Sequence, residues 1–273
     1  MPFRIVGPRD ESPLLVEVPH AGLAVPPEVM GTMLVPARAI VQDADLFVDE
    51  LFQDAPSLGA TLIAANYSRY VVDLNRGEND YDSDAVATKV RRPENMPRGL
   101  IWRLSTDGDR IAKDAISMSE LERRLETIHR PYHRAVREIL EAKKEKFGFA
   151  ILLAGHSMPS VPRTGHPDLG RRADIVPGTN GRTTAALALI ELVDAHAREA
   201  SFSVEHDEPY KGGFSTRNYG KPAMRLHAIQ IEMARRLYFD ERTFVKNAGF
   251  TALRAWCGGL VERLAAVRAA MNP

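Results

Sequence analysis

Short apolar runs closed off by proline, glycine or polar turns alternate with longer stretches of helical period, and this alternation most restricts what the chain can fold into. Leu14–Val18 (LLVEV), Thr61–Ala65 (TLIAA), Tyr70–Leu74 (YVVDL) and Phe149–Leu153 (FAILL) have the length and composition of strands. Ala228–Met233 (AIQIEM) reads equally as a strand or as the start of a helix. From Ser119 to Lys146, apolar residues recur at Leu121, Leu125, Ile128, Tyr132, Val136 and Ile139. They form one face of a helix that Pro131 is expected to kink or split. Thr183–Ala200 and Thr251–Met271 repeat the helical period. Strands separated by helices predict an α/β architecture: a mixed, largely parallel sheet flanked by helices. No repeat or flexible linker divides the 273 residues, so one domain spanning 1–273 is expected. Residues 77–118, with turn chemistry in GENDYDSD and RRPENMPRG, are expected to make a long excursion over one edge of the sheet.

Composition narrows the function. The chain carries 36 Lys+Arg against 36 Asp+Glu, so it lacks the basic excess of a protein that neutralises nucleic-acid phosphates. Its single cysteine, Cys257, can form neither an internal disulfide nor a cysteine-rich zinc site. A bound metal must therefore be held by histidine and carboxylate. The most apolar stretch, Phe147–Gly155, is about half the roughly 20 residues that a membrane span needs. Met1–Pro13 has no apolar core of a signal peptide. A cytoplasmic protein without membrane or nucleic-acid partners is expected.

Polar residues gather at the expected carboxyl ends of the strands, where ligands bind in open α/β sheets. LLVEV runs into Pro19-His20-Ala21-Gly22, and FAILL ends in Ala154-Gly155-His156-Ser157. Small residues beside each histidine would clear space for a metal. A catalytic zinc takes three protein ligands, so His20 and His156 need a carboxylate, and the segment Asp43–Glu50 offers several. His129 and His133 are a competing pair at i and i+4, but no Glu follows His129, and they are expected at the surface or behind a site. Arg69 and Arg76 present forks that match a carboxylate, or else pair with nearby acids such as Glu78 and Asp80. Glu232, inside an apolar run, is either paired with an arginine or kept as a general base. Ser157 lacks the G-x-S-x-G setting of a serine nucleophile.

The ordered set PHAG, D-x-x-V-D-E-L, SRYVVDLNR, RPYH, GHS, PGTNG, GGFSTRNYG and HAIQIE resembles the N-formylglutamate amidohydrolase family from about His20 to Glu241. That family is similar to zinc carboxypeptidases and aspartoacylases, and the resemblance implies their fold, a mixed sheet covered by helices. It also implies a divalent metal, zinc, on His20, Asp45 and His156, with Asp43 and Glu50 close enough to compete for the carboxylate position. Arg69, Asn75 and Arg76 would hold the carboxylate of a small anionic N-acyl amino acid. Arg217 would bind substrate or stabilise the oxyanion, and Glu232 would be the general base. The implied reaction is hydrolysis of N-formyl-L-glutamate. Its rivals are a deacylase or carboxypeptidase-like amidase for another N-acyl amino acid or small peptide, and a non-catalytic carboxylate binder. One departure is Ala154, where family members often place an aspartate two residues before the GHS histidine.

Overall fold

The structure is a computed structural model that describes residues 1–88, 96–162 and 170–267. Six strands form the main sheet: β1 (Phe3–Val6), β2 (Leu14–Val18), β3 (Thr61–Ala65), β4 (Ala150–Met158), β5 (Ile175–Gly178) and β6 (Leu226–Ala234). Their spatial order is β1-β3-β2-β4-β6-β5. β3, β2, β4 and β6 run parallel, while β1 and β5 close the two edges antiparallel. The sheet is thus mixed and largely parallel, as expected. All residues of the inner strands β2, β3, β4 and β6 are buried. That is why they read as unbroken apolar runs rather than alternating ones.

Alternate side chains of these strands enter two different layers. On one face Leu14, Val16, Ile151, Leu153, Ile229 and Ile231 share a core with helices α5 (Leu187–Glu199) and α7 (Phe250–Ala265). On the other, Leu15, Ile63, Leu152 and Ala228 pack with Leu121 of α3 (Met118–Arg124) and with Tyr132 and Val136 of α4 (Arg130–Phe147). Pro131 does not split the long helix. Leu125–His129 forms a π-helical turn just before it, and this wider turn carries the path from α3 into α4.

Two expectations fail for identifiable reasons. Tyr70–Leu74 is not a strand. Asp73 Oδ1 accepts from Asn75 N at 2.9 Å and Ser68 Oγ from Tyr70 N at 3.2 Å, so local side chains take backbone donors that a ladder would need. Its apolar residues Val71, Val72 and Leu74 are buried by packing, not by a pleat. Residues 96–102 do not trail over a sheet edge. They lie against residues 68–76 at the carboxyl ends of the strands, where Asp73 N donates to Leu100 O at 2.9 Å. Part of the long excursion, 89–95, and the end of the Thr251–Met271 pattern, 268–273, lie outside the described residues. Among the described residues no helix is long and apolar enough to cross a membrane.

One buried residue on β2 is out of keeping with its neighbours. Glu17 has no solvent exposure, and burial pushes its carboxyl up to about 7 against the smaller opposing pull of Ser215 and His156. A folded-state pKa above the unfolded one favours folding at low pH and is lost as pH rises toward 7. Glu17→Gln cannot ionise. Its stability advantage over the parent in urea unfolding should therefore grow by about 2 kcal/mol between pH 5 and pH 8. An advantage that stays constant across that range would show that Glu17 does not carry the buried charge.

Candidate active site

Three buried side chains converge where β2 and β4 end. His20 lies just beyond β2, His156 lies on β4, and Asp45 follows α1 (Ala37–Asp43), with its backbone N–H held by His20 O at 3.0 Å. His20 Nδ1 and His156 Nδ1 are 3.2 Å apart, and Asp45 Oδ2 is 3.0 Å from the second and 3.5 Å from the first. Ligands about 2.1 Å from a tetrahedral ion are spaced by about 3.4 Å, so these separations fit one small divalent cation. The group His20, Asp45 and His156 can hold a metal ion.

The competing carboxylates are engaged elsewhere. Asp43 accepts from the Tyr70 hydroxyl at 2.7 Å and from Thr106, while Glu50 pairs with Lys246. The small residue next to His156 does not clear space for a metal. A Cβ on Gly155 would fall 2.5 Å from the Phe52 ring, so its absence lets α2 (Val48–Leu51) and Phe52 pack against β4 behind Asp45.

Asp73 orients the His20 ring. Its Oδ1 accepts from His20 Nε2 at 2.8 Å, which places the ring proton on Nε2 and leaves the Nδ1 lone pair for the cluster. Burial opposes ionisation of Asp73, but the charges of Arg69 and Arg76 and the hydrogen bond from His20 outweigh it and hold the carboxyl well below the usual range. Asp45 behaves alike, with bonds from His156 and His20 overcoming its burial. Arg235 braces the Asp45 segment by donating to Gln42 O at 2.8 Å and Ala44 O at 2.7 Å.

Glu232 on β6 stands opposite His156 in the strand register. Burial pushes its carboxyl up to about 7. His156, Arg69 and Arg235 pull it down and Asp45 pushes it further up. Gln230 donates from Nε2 to Glu232 Oε1 at 2.9 Å and accepts from Gly213 N at 2.9 Å and Asn75 Nδ2 at 3.3 Å.

All the expected site residues line one cleft of about 870 Å³. Within it they are held differently. Arg69 Nε and Nη2 bond Asp73 at 3.1 and 2.8 Å, and its guanidinium lies 4.4 Å above the Trp102 ring. Arg76 is braced by the carbonyls of Arg98 and Asn75 rather than by Glu78 or Asp80. Asn75 Oδ1 accepts from Ser215 N at 3.0 Å, and a Cβ on Gly213 would overlap the Asn75 amide. Arg217 is exposed on the short helix α6 (Phe214–Tyr219). Lys211 and Arg172 add further positive charge to the lining.

His129 and His133 are not at the surface. Both are buried, His129 Nε2 meets Arg76 O at 2.8 Å, and His133 Nδ1 meets the Tyr219 hydroxyl at 2.8 Å. Sequence reasoning missed Asp73, Gln230, Trp102 and Arg235 as parts of this site. Asp73 and Gln230 lie within DLNR and HAIQIE, so the motifs marked their neighbourhood, whereas no local pattern marked Trp102 or Arg235.

A histidine–carboxylate cluster beside a buried glutamate, at the carboxyl ends of a mixed sheet, is the arrangement of a hydrolase. The chain belongs to the N-formylglutamate amidohydrolase family, whose model matches residues 12–239. It is similar to the N-formylglutamate deformylase of Pseudomonas aeruginosa, 36% identical over 94% of each chain. The enzyme of that name from Pseudomonas putida is 35% identical over 84% of this chain and 82% of its own. The crystal structure of N-formylglutamate amidohydrolase from Ralstonia eutropha superposes with a TM-score of 0.88 at 32% identity, covering 97% of each chain. A gene product of Agrobacterium tumefaciens shares the fold, with a TM-score of 0.71 at 19% identity over 96% of this chain and 94% of its own.

Replacing Asp73 by Asn keeps an acceptor for His20 but removes the charge. Zinc affinity, read by competition with a chromophoric chelator, should fall about 10–100-fold while the protein stays folded. An unchanged affinity would remove Asp73 from the support of the cluster.

Proposed function

We propose that this chain hydrolyses N-formyl-L-glutamate to formate and glutamate, with a divalent zinc ion held by His20, Asp45 and His156. The observation that carries the reading is the pairing of two unlike carboxylates in one cleft: Asp45, held ionised beside two histidines, and Glu232, raised by burial. Environments that push two carboxyls apart in pKa separate a permanent anion from a proton carrier. The family and the names of its relatives supply the substrate.

When bound, zinc supplies Lewis acidity that polarises the scissile carbonyl and makes water easier to deprotonate. Glu232 accepts a proton from the attacking water as oxygen bonds to the formyl carbon. It then delivers that proton to the amide nitrogen, the C–N bond breaks, and the remaining hydroxyl proton of the formic acid passes to the amine, so that formate and glutamate with a protonated amine separate. Gln230 holds Glu232 by one oxygen, which leaves Oε2 for the proton. Arg69 acts on Glu232 electrostatically and its Nε and Nη2 are fixed on Asp73, so it is the arginine suited to steady negative charge at the formyl oxygen. Arg217 and Arg76 lie along the cleft for the substrate carboxylates, and Asn75 fixes the wall between them.

Glu232→Gln should keep one zinc per chain yet lose about 10²–10⁴ in kcat on N-formyl-L-glutamate. Retained turnover would require a different proton carrier. Assayed side by side, the N-formyl compound should exceed N-acetyl-L-glutamate and glutamyl dipeptides in kcat/KM. A preference for the acetyl or peptide substrate would assign the chain to a different deacylase or amidase activity.

A further inference from the structure

Behind the cleft wall lies a second set of buried polar groups that the reaction does not use. Glu17, on the central strand β2, shares its sheet face with Leu15, where an apolar residue would fill the space without burying a carboxyl. Glu17 Oε1 accepts from Ser215 Oγ at 2.9 Å, and the Tyr132 hydroxyl acts on the carboxyl more weakly. The groups that face Glu17 are Ser215 from α6, the Tyr132 hydroxyl from α4, and His156 from the neighbouring strand β4. Tyr219 from α6 lies in the same layer and feels its charge.

The helix these groups touch is too short to hold itself. α6 has six residues, far below the roughly 12 at which an isolated helix becomes even marginal, so its position must come from side-chain anchors. Two polar ones stand one turn apart on its buried side. Ser215 is held at the front by Glu17 and by Asn75 Oδ1, and Tyr219 is held at the back by His133 Nδ1. Arg217 lies between these anchors and is exposed to the cleft.

We propose that Glu17 is a positioning residue for substrate capture: through Ser215 it seats the helix Phe214–Tyr219 and so sets where Arg217 meets the substrate carboxylate. This rests on the reading of Arg217 as a substrate-binding group. Glu17 lines neither the cleft nor the group His20, Asp45 and His156; His156 acts on it through charge, and its hydrogen bond at 2.9 Å is to Ser215 of α6. The role needs an acceptor rather than a negative charge, since Ser215 is a neutral donor. The raised carboxyl of Glu17 agrees with that, because the protonated form persists toward neutral pH.

The test compares Glu17→Leu, Ser215→Ala, their double variant and Glu17→Gln, all loaded with zinc. With N-formyl-L-glutamate, Glu17→Leu and Ser215→Ala should each raise KM about tenfold and leave kcat and zinc content within about twofold. The double variant should be no worse than either alone, because both remove one bond. Glu17→Gln, which keeps an acceptor for Ser215, should restore KM. Amide exchange of the 214–219 peptide should quicken in Glu17→Leu and match the parent in Glu17→Gln.

Parental KM and exchange in both Glu17→Leu and Ser215→Ala would overturn the proposal, as would a Gln variant as impaired as the Leu variant. Should Glu17→Leu fail to fold, Ser215→Ala carries the same test. If the parent does not turn over N-formyl-L-glutamate, the functional reading falls, while the exchange comparison still decides the role of Glu17.

Discussion

Asp73 is a fully buried carboxylate to which four separate groups are tied: His20 Nε2, the Arg69 guanidinium, Trp102 Nε1 and the backbone N–H of Asn75. A buried charge is tolerated only when it is paired and hydrogen-bonded, and these donors meet that requirement. In doing so they join β2, the turn at 68–76 and residues 96–102 around one point. Removing the side chain altogether would disturb more than a single contact. It would release the His20 ring, free Arg69 from its place over Trp102, and loosen the turn that holds Asn75 and Arg76 on the cleft wall.

From that point the electrostatics of the site divide. Asp45 sits between two histidines and stays ionised despite burial, while Glu232, opposite His156 in the sheet, forms no ion pair among the described residues and is raised. The charge of Asp45 raises Glu232 further, so the two carboxyls resist joint ionisation. The chain is balanced overall, with 36 basic and 36 acidic residues, yet basic groups predominate along the cleft. Arg69, Arg76, Arg172, Lys211, Arg217 and Arg235 all line it. Such a cleft suits a small substrate that carries more than one carboxylate.

Much of this was legible in the residues. The inner strands announced themselves because both faces of each are buried, and the two cluster histidines because they stand at the ends of such strands. What was hidden depends on partners distant in sequence. Spacing alone could not choose Asp45 over Asp43 or Glu50. The choice rests on Tyr70, Thr106 and Lys246, which occupy the other two. YVVDL has strand composition, yet Ser68 and Asp73 turn its backbone. Edge strands β1 and β5, four residues each, offer too short a pattern to stand out from loops. The burial of His129 and His133 follows from α6 packing over them, which no feature of the helix they belong to foretells.

Asp73 turns His20 so that its Nδ1, with His156 Nδ1 and Asp45, faces one point that could hold a cation. Anomalous-difference crystallography of the zinc-loaded protein tests it directly. A single zinc peak is expected about 2.0–2.2 Å from His20 Nδ1, His156 Nδ1 and a carboxylate oxygen of Asp45, with His20 Nε2 still on Asp73. A zinc held through His20 Nε2, or one that takes Asp43 or Glu50 in place of Asp45, would contradict it.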